Sequence, residues 1–283
     1  MIELTTIPEL KAWVGAARAA GRRIGLVPTM GALHEGHLAL VDAARVGSDA
    51  VVMSIFVNPT QFGPHEDLSR YPRDLPRDRA LAAARGVDAL FVPSAESMYP
   101  AGAEVSVLPG KAAARWEGEF RPGHFAGVLT IVAKLLHLVE PAGAWFGQKD
   151  FQQATLIRQM VRDLDFPLSV EVIPTVREPD GLALSSRNAF LSAADRQQAL
   201  GLSRALGAAA EAFATGERGA AALERVMHGG LAVHPGVEVE YIAVADPRTL
   251  EPVARADDDT VVLIGARVGS TRLIDNVILS KGL

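Results

Sequence analysis

Residues 24–57 read IGLVPTMGALHEGHLALVDAARVGSDAVVMSIFV. The short apolar run 24–27 suits a buried strand, and a glycine-bearing turn then leads into a helix expected over about 36–46. Residues 50–57 are apolar almost without a break, as in a parallel strand covered on both faces. One strand, helix, strand unit is therefore written into a single stretch.

The alternation continues outward. Upstream, Leu10, Trp13, Val14 and Ala17 fall at helical spacing over 8–20, and Gly21 stops the helix. Downstream, helices are expected over 76–85, 125–139 and 151–164, and strands over 89–92, 144–146 and 168–173. Strands spaced by helices build an α/β doubly wound parallel sheet. After Pro179 come alanine-rich helices at about 192–215 and 219–229. Ser192 and Asp195 have the spacing of a capping box for the first of these. Val237, Val239, Tyr241 and Ala243 then alternate against Glu238, Glu240 and Ile242, and 260–268 with 271–279 read as an antiparallel pair. Pro174, Pro179 and Gly181 mark the boundary. The expected division is one domain over 1–176 and a smaller α+β domain over 177–283.

Composition narrows the chemistry. The 283 residues carry 28 Lys plus Arg against 33 Asp plus Glu, a net charge of −5, and no Cys. A disulfide framework, a thiolate zinc site, an iron–sulfur cluster and a cysteine nucleophile are excluded. The acidic balance argues against nucleic acid as the main partner. The first residues lack the basic and apolar regions of a signal peptide, and the apolar stretch 127–146 is interrupted by Lys134, His137 and Glu140. A soluble cytoplasmic protein without a membrane partner is expected.

Four segments follow expected strands, where ligands bind in such sheets. In Pro28-Thr-Met-Gly-Ala-Leu-His-Glu-Gly-His37, Gly31 and Gly36 allow close backbone approach, the helix start offers N–H groups to an anion, and His34 and His37 can face one side. Gly36 breaks the pattern of a zinc-binding helix. In Phe56-Val-Asn-Pro-Thr-Gln-Phe-Gly63, Asn58 and Gln61 suit hydroxyl and carboxylate groups. In Phe146-Gly-Gln-Lys-Asp-Phe-Gln-Gln153, Lys149 opposes the helix dipole unless an anion offsets it, and Gln153 lies a turn further in. In Pro174-Thr-Val-Arg-Glu-Pro-Asp-Gly-Leu-Ala-Leu-Ser-Ser-Arg-Asn188, two hydroxyls and Arg187 form a donor cluster. Each segment alone is also an ordinary loop. Arg121 and His124 could add positive charge, Asp74 and Asp78 could hold magnesium, and surface ion pairing is open for both. His65, His137, His228 and His234 have no companions that suggest ligation.

Together, in order and spacing, these segments resemble the pantothenate synthetases, which join pantoate to β-alanine using ATP. The resemblance runs from Ile2 to the C-terminus. It implies a Rossmann-like N-terminal domain, a C-terminal α+β domain acting as a lid, and a homodimer. It implies that Met30, Gly31, Ala32, Leu33, His34, Glu35, Gly36 and His37 contact ATP, with His37 the family's proton donor. Gly147, Gln148, Lys149, Asp150, Val176, Leu184, Ser185, Ser186 and Arg187 would also lie on the nucleotide. Gln61 would contact pantoate and then β-alanine, and Gln153 pantoate. Leu184 stands where the family usually has Met, a volume-conserving exchange. Mg²⁺ is expected with ATP; its ligands are not fixed by the motifs, and Asp78 is the best candidate.

The chemistry requires activation, because a carboxylate and an amine do not condense unaided in water. An acyl adenylate formed with loss of pyrophosphate, then displacement of AMP by the amine, needs no protein nucleophile. His34, His37 and Lys149 are the expected catalytic groups, and closure of residues 177–190 would protect the adenylate. Two other readings remain: a nucleotidyltransferase that stops after nucleotide transfer, and a nucleotide-sensing module. A tRNA-charging role is disfavoured by the short chain.

Overall fold

The computed structural model describes residues 1–64 and 66–283; His65 lies outside the described residues. In chain order the helices and strands are β1 (Ile2–Leu4), α1 (Ile7–Ala19), β2 (Ile24–Thr29), α2 (Glu35–Gly47), β3 (Ala50–Ile55), α3 (Leu75–Ala84), β4 (Ala89–Phe91) and α4 (Ala95–Met98). Then follow α5 (Glu117–Phe120), α6 (His124–Val139), β5 (Gly143–Gly147), α7 (Phe151–Asp163) and β6 (Ser169–Ile173). The chain ends with α8 (Ala193–Ala214), α9 (Ala220–Leu231), β7 (Val237–Ala245), β8 (Val261–Val268) and β9 (Thr271–Ile278).

The chain divides into two compact units. The first comprises residues 1–110, 121–148 and 156–174; the second comprises 111–120, 149–155 and 175–283.

The first unit is a six-stranded parallel sheet of order β1-β4-β3-β2-β5-β6. From β2 the chain adds β3 and β4 on one side, then returns to add β5 and β6 on the other. The strand order therefore reverses beside β2, and the crevice at such a reversal is where open α/β sheets bind ligands. Every residue of β3 is buried, which explains a run that is apolar but for Ser54. Val27, Val41, Met53, Leu90 and Trp145 pack into one core cluster with α2. Burying each large side chain of this kind contributes roughly 1.5–3 kcal/mol. Helix α1 is capped by Thr6, whose hydroxyl accepts from the Glu9 amide while the Glu9 carboxylate accepts from the Thr6 amide. The three-residue β1 is too short to show a period and was not anticipated.

In the second unit, β7, β8 and β9 form an antiparallel sheet. One face packs on α8 and α9 through Leu206, Phe213, Leu223, Met227, Val262 and Ile264. The other carries Ala243 and Leu263 against Trp116, Phe151 and Tyr241. That second face is why 111–120 and 149–155 cluster with the C-terminal residues. The expected alternation along β7 breaks at a bulge between Val239 and Tyr241. Val237 and Val239 face the helices, but beyond the bulge Ile242 and Val244 do so, and Tyr241 and Ala243 turn to the opposite face. The Ser192 hydroxyl caps α8 by accepting from the Asp195 amide at 3.1 Å. It also donates to the Asp195 carboxylate at 2.7 Å.

Among the described residues, no helix is long and apolar enough to cross a membrane. Helix α6, the core of the stretch 127–146, buries most of its circumference.

Candidate active site

Strand β2 ends at Thr29, and the next residues turn sharply: Gly31 has φ 80° and Ala32 φ 50°. A side chain at Gly31 would meet Asp78 and Ile55, each at 3.0 Å, so the turn requires glycine twice over. Asp78, 1 % exposed in the first turn of α3, holds the turn. Its two oxygens accept from the amides of Ala32 and Leu33, each at 2.8 Å. Arg77 donates to the Leu33 carbonyl at 2.9 Å. One helical turn therefore grips both sides of the loop backbone.

The loop delivers His34 as the N-cap of α2. His34 Nδ1 accepts from the Gly36 amide at 3.2 Å, and His37 Nδ1 accepts from the His34 amide at 3.3 Å. The two histidines thus form a reciprocal capping pair, with ring centroids 4.1 Å apart. A ring nitrogen that accepts from a backbone N–H carries no hydrogen, so each neutral ring bears its proton on Nε2. Two N–H donors and the helix amides stand together at the carboxyl end of β2. Glu35 is turned to an ion pair with Arg85 at 2.6 Å.

Gln61 lies in the 3-10 turn Pro59–Gln61, and its Nε2 donates to the Met30 thioether at 2.8 Å. Helix α6 braces this turn. His124 Nδ1 donates to the Gln61 carbonyl at 2.8 Å, and Arg121 reaches the same oxygen at 3.2 Å. A carbonyl only accepts, so Nδ1 carries the hydrogen and Nε2 receives Arg121 at 3.1 Å. Glu66 pairs with Arg121 through two bonds of 2.9 and 2.6 Å. Asn58 donates to the Gly127 carbonyl at 3.1 Å. A Cβ on Gly127 would lie 2.3 Å from the Thr60 carbonyl oxygen, so glycine alone admits this approach.

In the second unit, the expected nucleotide residues are fixed through β9. Asn276 donates to the Lys149 carbonyl at 3.0 Å. Asp275, 4 % exposed, takes Arg177 in a bidentate pair at 2.7 and 2.9 Å. The Val176 carbonyl receives the Leu184 amide at 3.0 Å, and the Ser185 hydroxyl accepts from the Arg187 amide at 3.2 Å. Arg196 clasps Glu178 and Asp180. The segment 175–188 is tied into its own unit at both flanks. Lys149 contacts the Asp150 carboxylate at 3.5 Å, and Gln153 is half-buried on α7.

Met30 to His37 and Gln61 come together in the first unit, with Gly147 and Gln148 at the end of the neighbouring β5. Lys149, Val176 and the residues 184–187 are organised in the second. Asp78, the candidate for magnesium, serves backbone amides with both of its oxygens, and Asp74 caps α3 by accepting from the Arg77 amide. Among the described residues no three His, Asp or Glu cluster as a metal site. Sequence reasoning gave Arg121 and His124 only as added charge and passed over Asp275 and Asn276. A polar pair set between Leu273 and Val277 in an apolar strand was the available signal.

The family profile for pantoate–β-alanine ligase matches residues 3–278. A pantothenate synthetase of Moorella thermoacetica is 52% identical over 98% of this chain and 98% of its own. The crystal structure of the Thermus thermophilus pantothenate synthetase superposes with a TM-score of 0.94, at 48% identity and 99% coverage of both chains. The Francisella tularensis pantoate–β-alanine ligase, solved in complex with beta-gamma ATP and β-alanine, gives 0.81 at 34% identity, covering 100% of this chain and 99% of that one. The chain belongs to the pantoate–β-alanine ligase family.

Proposed function

We propose that this protein joins pantoate to β-alanine, converting ATP to AMP and pyrophosphate through a pantoyl adenylate. The observation that carries the site assignment is the His34–His37 capping pair, which engages Nδ1 of both rings at the N-terminus of α2 and so puts the hydrogen of each neutral ring on Nε2. A pantoate carboxylate oxygen attacks the α-phosphorus and the bond to pyrophosphate breaks. The neutral amine of β-alanine then attacks the acyl carbon, AMP leaves with the electron pair of the broken C–O bond, and the new amide nitrogen releases one proton to solvent. The histidines and helix amides hydrogen-bond phosphate oxygens, Lys149 and Arg187 offset their charge, and Ser185 and Ser186 add donors. Gln61 and Gln153 orient pantoate; Gln61 then meets β-alanine.

Residues 177–283 serve as the lid that keeps water from the adenylate. Mg²⁺ enters on the phosphates of ATP, since Asp78 is engaged elsewhere. The working form is a cytoplasmic homodimer.

The test is AMP formation from ATP with each substrate omitted in turn. Sustained turnover requires pantoate and β-alanine together; steady AMP release without the amine overturns the ligase reading. His37→Ala and Lys149→Ala each lower kcat by about 10²–10³-fold, the scale of a lost transition-state donor. Wild-type pyrophosphate release in both variants refutes their assignment.

A further inference from the structure

Tyr99 lies 41 residues from Asn58 in sequence, yet its hydroxyl donates to Asn58 Oδ1 at 2.8 Å. The same oxygen accepts from the Thr60 hydroxyl at 2.9 Å and the Thr60 amide at 3.3 Å. An oxygen ringed by donors fixes which end of the Asn58 amide is which. Its Nδ2 then faces the opposite way, giving one hydrogen to the Gly127 carbonyl and the other to Gln61 Oε1 at 3.2 Å. Asn58 is 1 % exposed and has no group left for a substrate.

The orientation passes on to Gln61. A flipped Gln61 amide would set Nε2 against Asn58 Nδ2, donor against donor. With Oε1 committed, Nε2 is the group Gln61 can offer, and its partner in this structure is a thioether, a weak acceptor. We propose that Tyr99 is a positioning residue for the substrate pocket: acting through Asn58, it locks Gln61 as a hydrogen-bond donor and so selects a substrate oxygen that accepts. This rests on Gln61 meeting pantoate, as proposed above.

The supporting contacts hold Tyr99 in place. Lys134 lies 5.8 Å from the ring centroid and donates to the Met98 carbonyl. Burial pushes the phenol above its usual value, so the hydroxyl stays protonated at neutral pH.

The experiment is steady-state kinetics of the full chain with Tyr99→Phe, Gln61→Ala and the double variant. Tyr99→Phe raises the KM for pantoate about tenfold, the equivalent of one lost directed hydrogen bond, and leaves the KM for ATP within about twofold. In the Gln61→Ala background, Tyr99→Phe adds less than about twofold, because the relay has no endpoint. An unchanged pantoate KM in Tyr99→Phe, or a full tenfold effect on top of Gln61→Ala, overturns the relay. If Gln61→Ala alone leaves the pantoate KM unchanged, the substrate role of Gln61 fails, and the relay fails with it. Should Tyr99→Phe fold poorly by thermal melting, Thr60→Val removes a second hydroxyl from Asn58 Oδ1 and moves the pantoate KM in the same direction; no movement counts against the relay.

Discussion

At the scale of single residues, the acid at position 78 sets the shape of the loop between β2 and α2. Asp78→Ala removes the carboxylate that accepts from the buried Leu33 amide and the half-buried Ala32 amide. A buried donor left without its acceptor costs about 1–3 kcal/mol, so a loss of at least that size is expected in urea unfolding, together with a raised KM for ATP. Unchanged stability would show that the loop holds itself. The motif residues were legible because histidines, glycines and Lys149 carry chemical character in their own letters. The structural role of Asp78 was not legible, because a carboxylate near such a motif suggests a metal ligand as readily as an amide acceptor. The choice between them depends on a contact 45 residues away.

At the scale of elements, every long helix and strand was visible as periodicity, and the failures have local causes. Strand β1 is shorter than one readable period, and the bulge in β7 inverts the faces midway. The brace from α6 to the 58–61 turn was unreadable because its anchor is Gly127, a residue that contributes by having no side chain. Gly127→Ala should displace the turn carrying Asn58 and Gln61, since the new Cβ would overlap the Thr60 carbonyl. Overpacking of this kind costs about 1–3 kcal/mol. Its kinetic signature is a larger rise in KM for pantoate than for ATP, measured beside Gly127→Ser as a second overpacked variant. Equal rises for both substrates would place the damage outside the turn.

At the scale of the whole molecule, the chain enters the second unit three times, at 111–120, 149–155 and 175–283. A sequence scan for boundaries finds proline and glycine clusters, and it has no signal for short segments that join a distant sheet through Trp116 and Phe151. The unit's hub is β9, where Asp275 and Asn276 hold Arg177 and the Lys149 carbonyl. Asp275→Ala takes the carboxylate from a mostly buried guanidinium, worth about 3–5 kcal/mol, and leaves it only the Gly181 and Asn276 carbonyls. Hydrogen exchange should accelerate across 176–188 and not across β2, β3 and β5; uniform acceleration would mean a global effect instead. The clamp at Asp78 also bears on transplantation. Because the amides of Ala32 and Leu33 are satisfied from α3, the stretch 28–37 is not a portable cassette. Grafted alone onto another parallel sheet, it would arrive without the carboxylate that holds its backbone and with a left-handed alanine. A host would have to supply its own acid where α3 stands here.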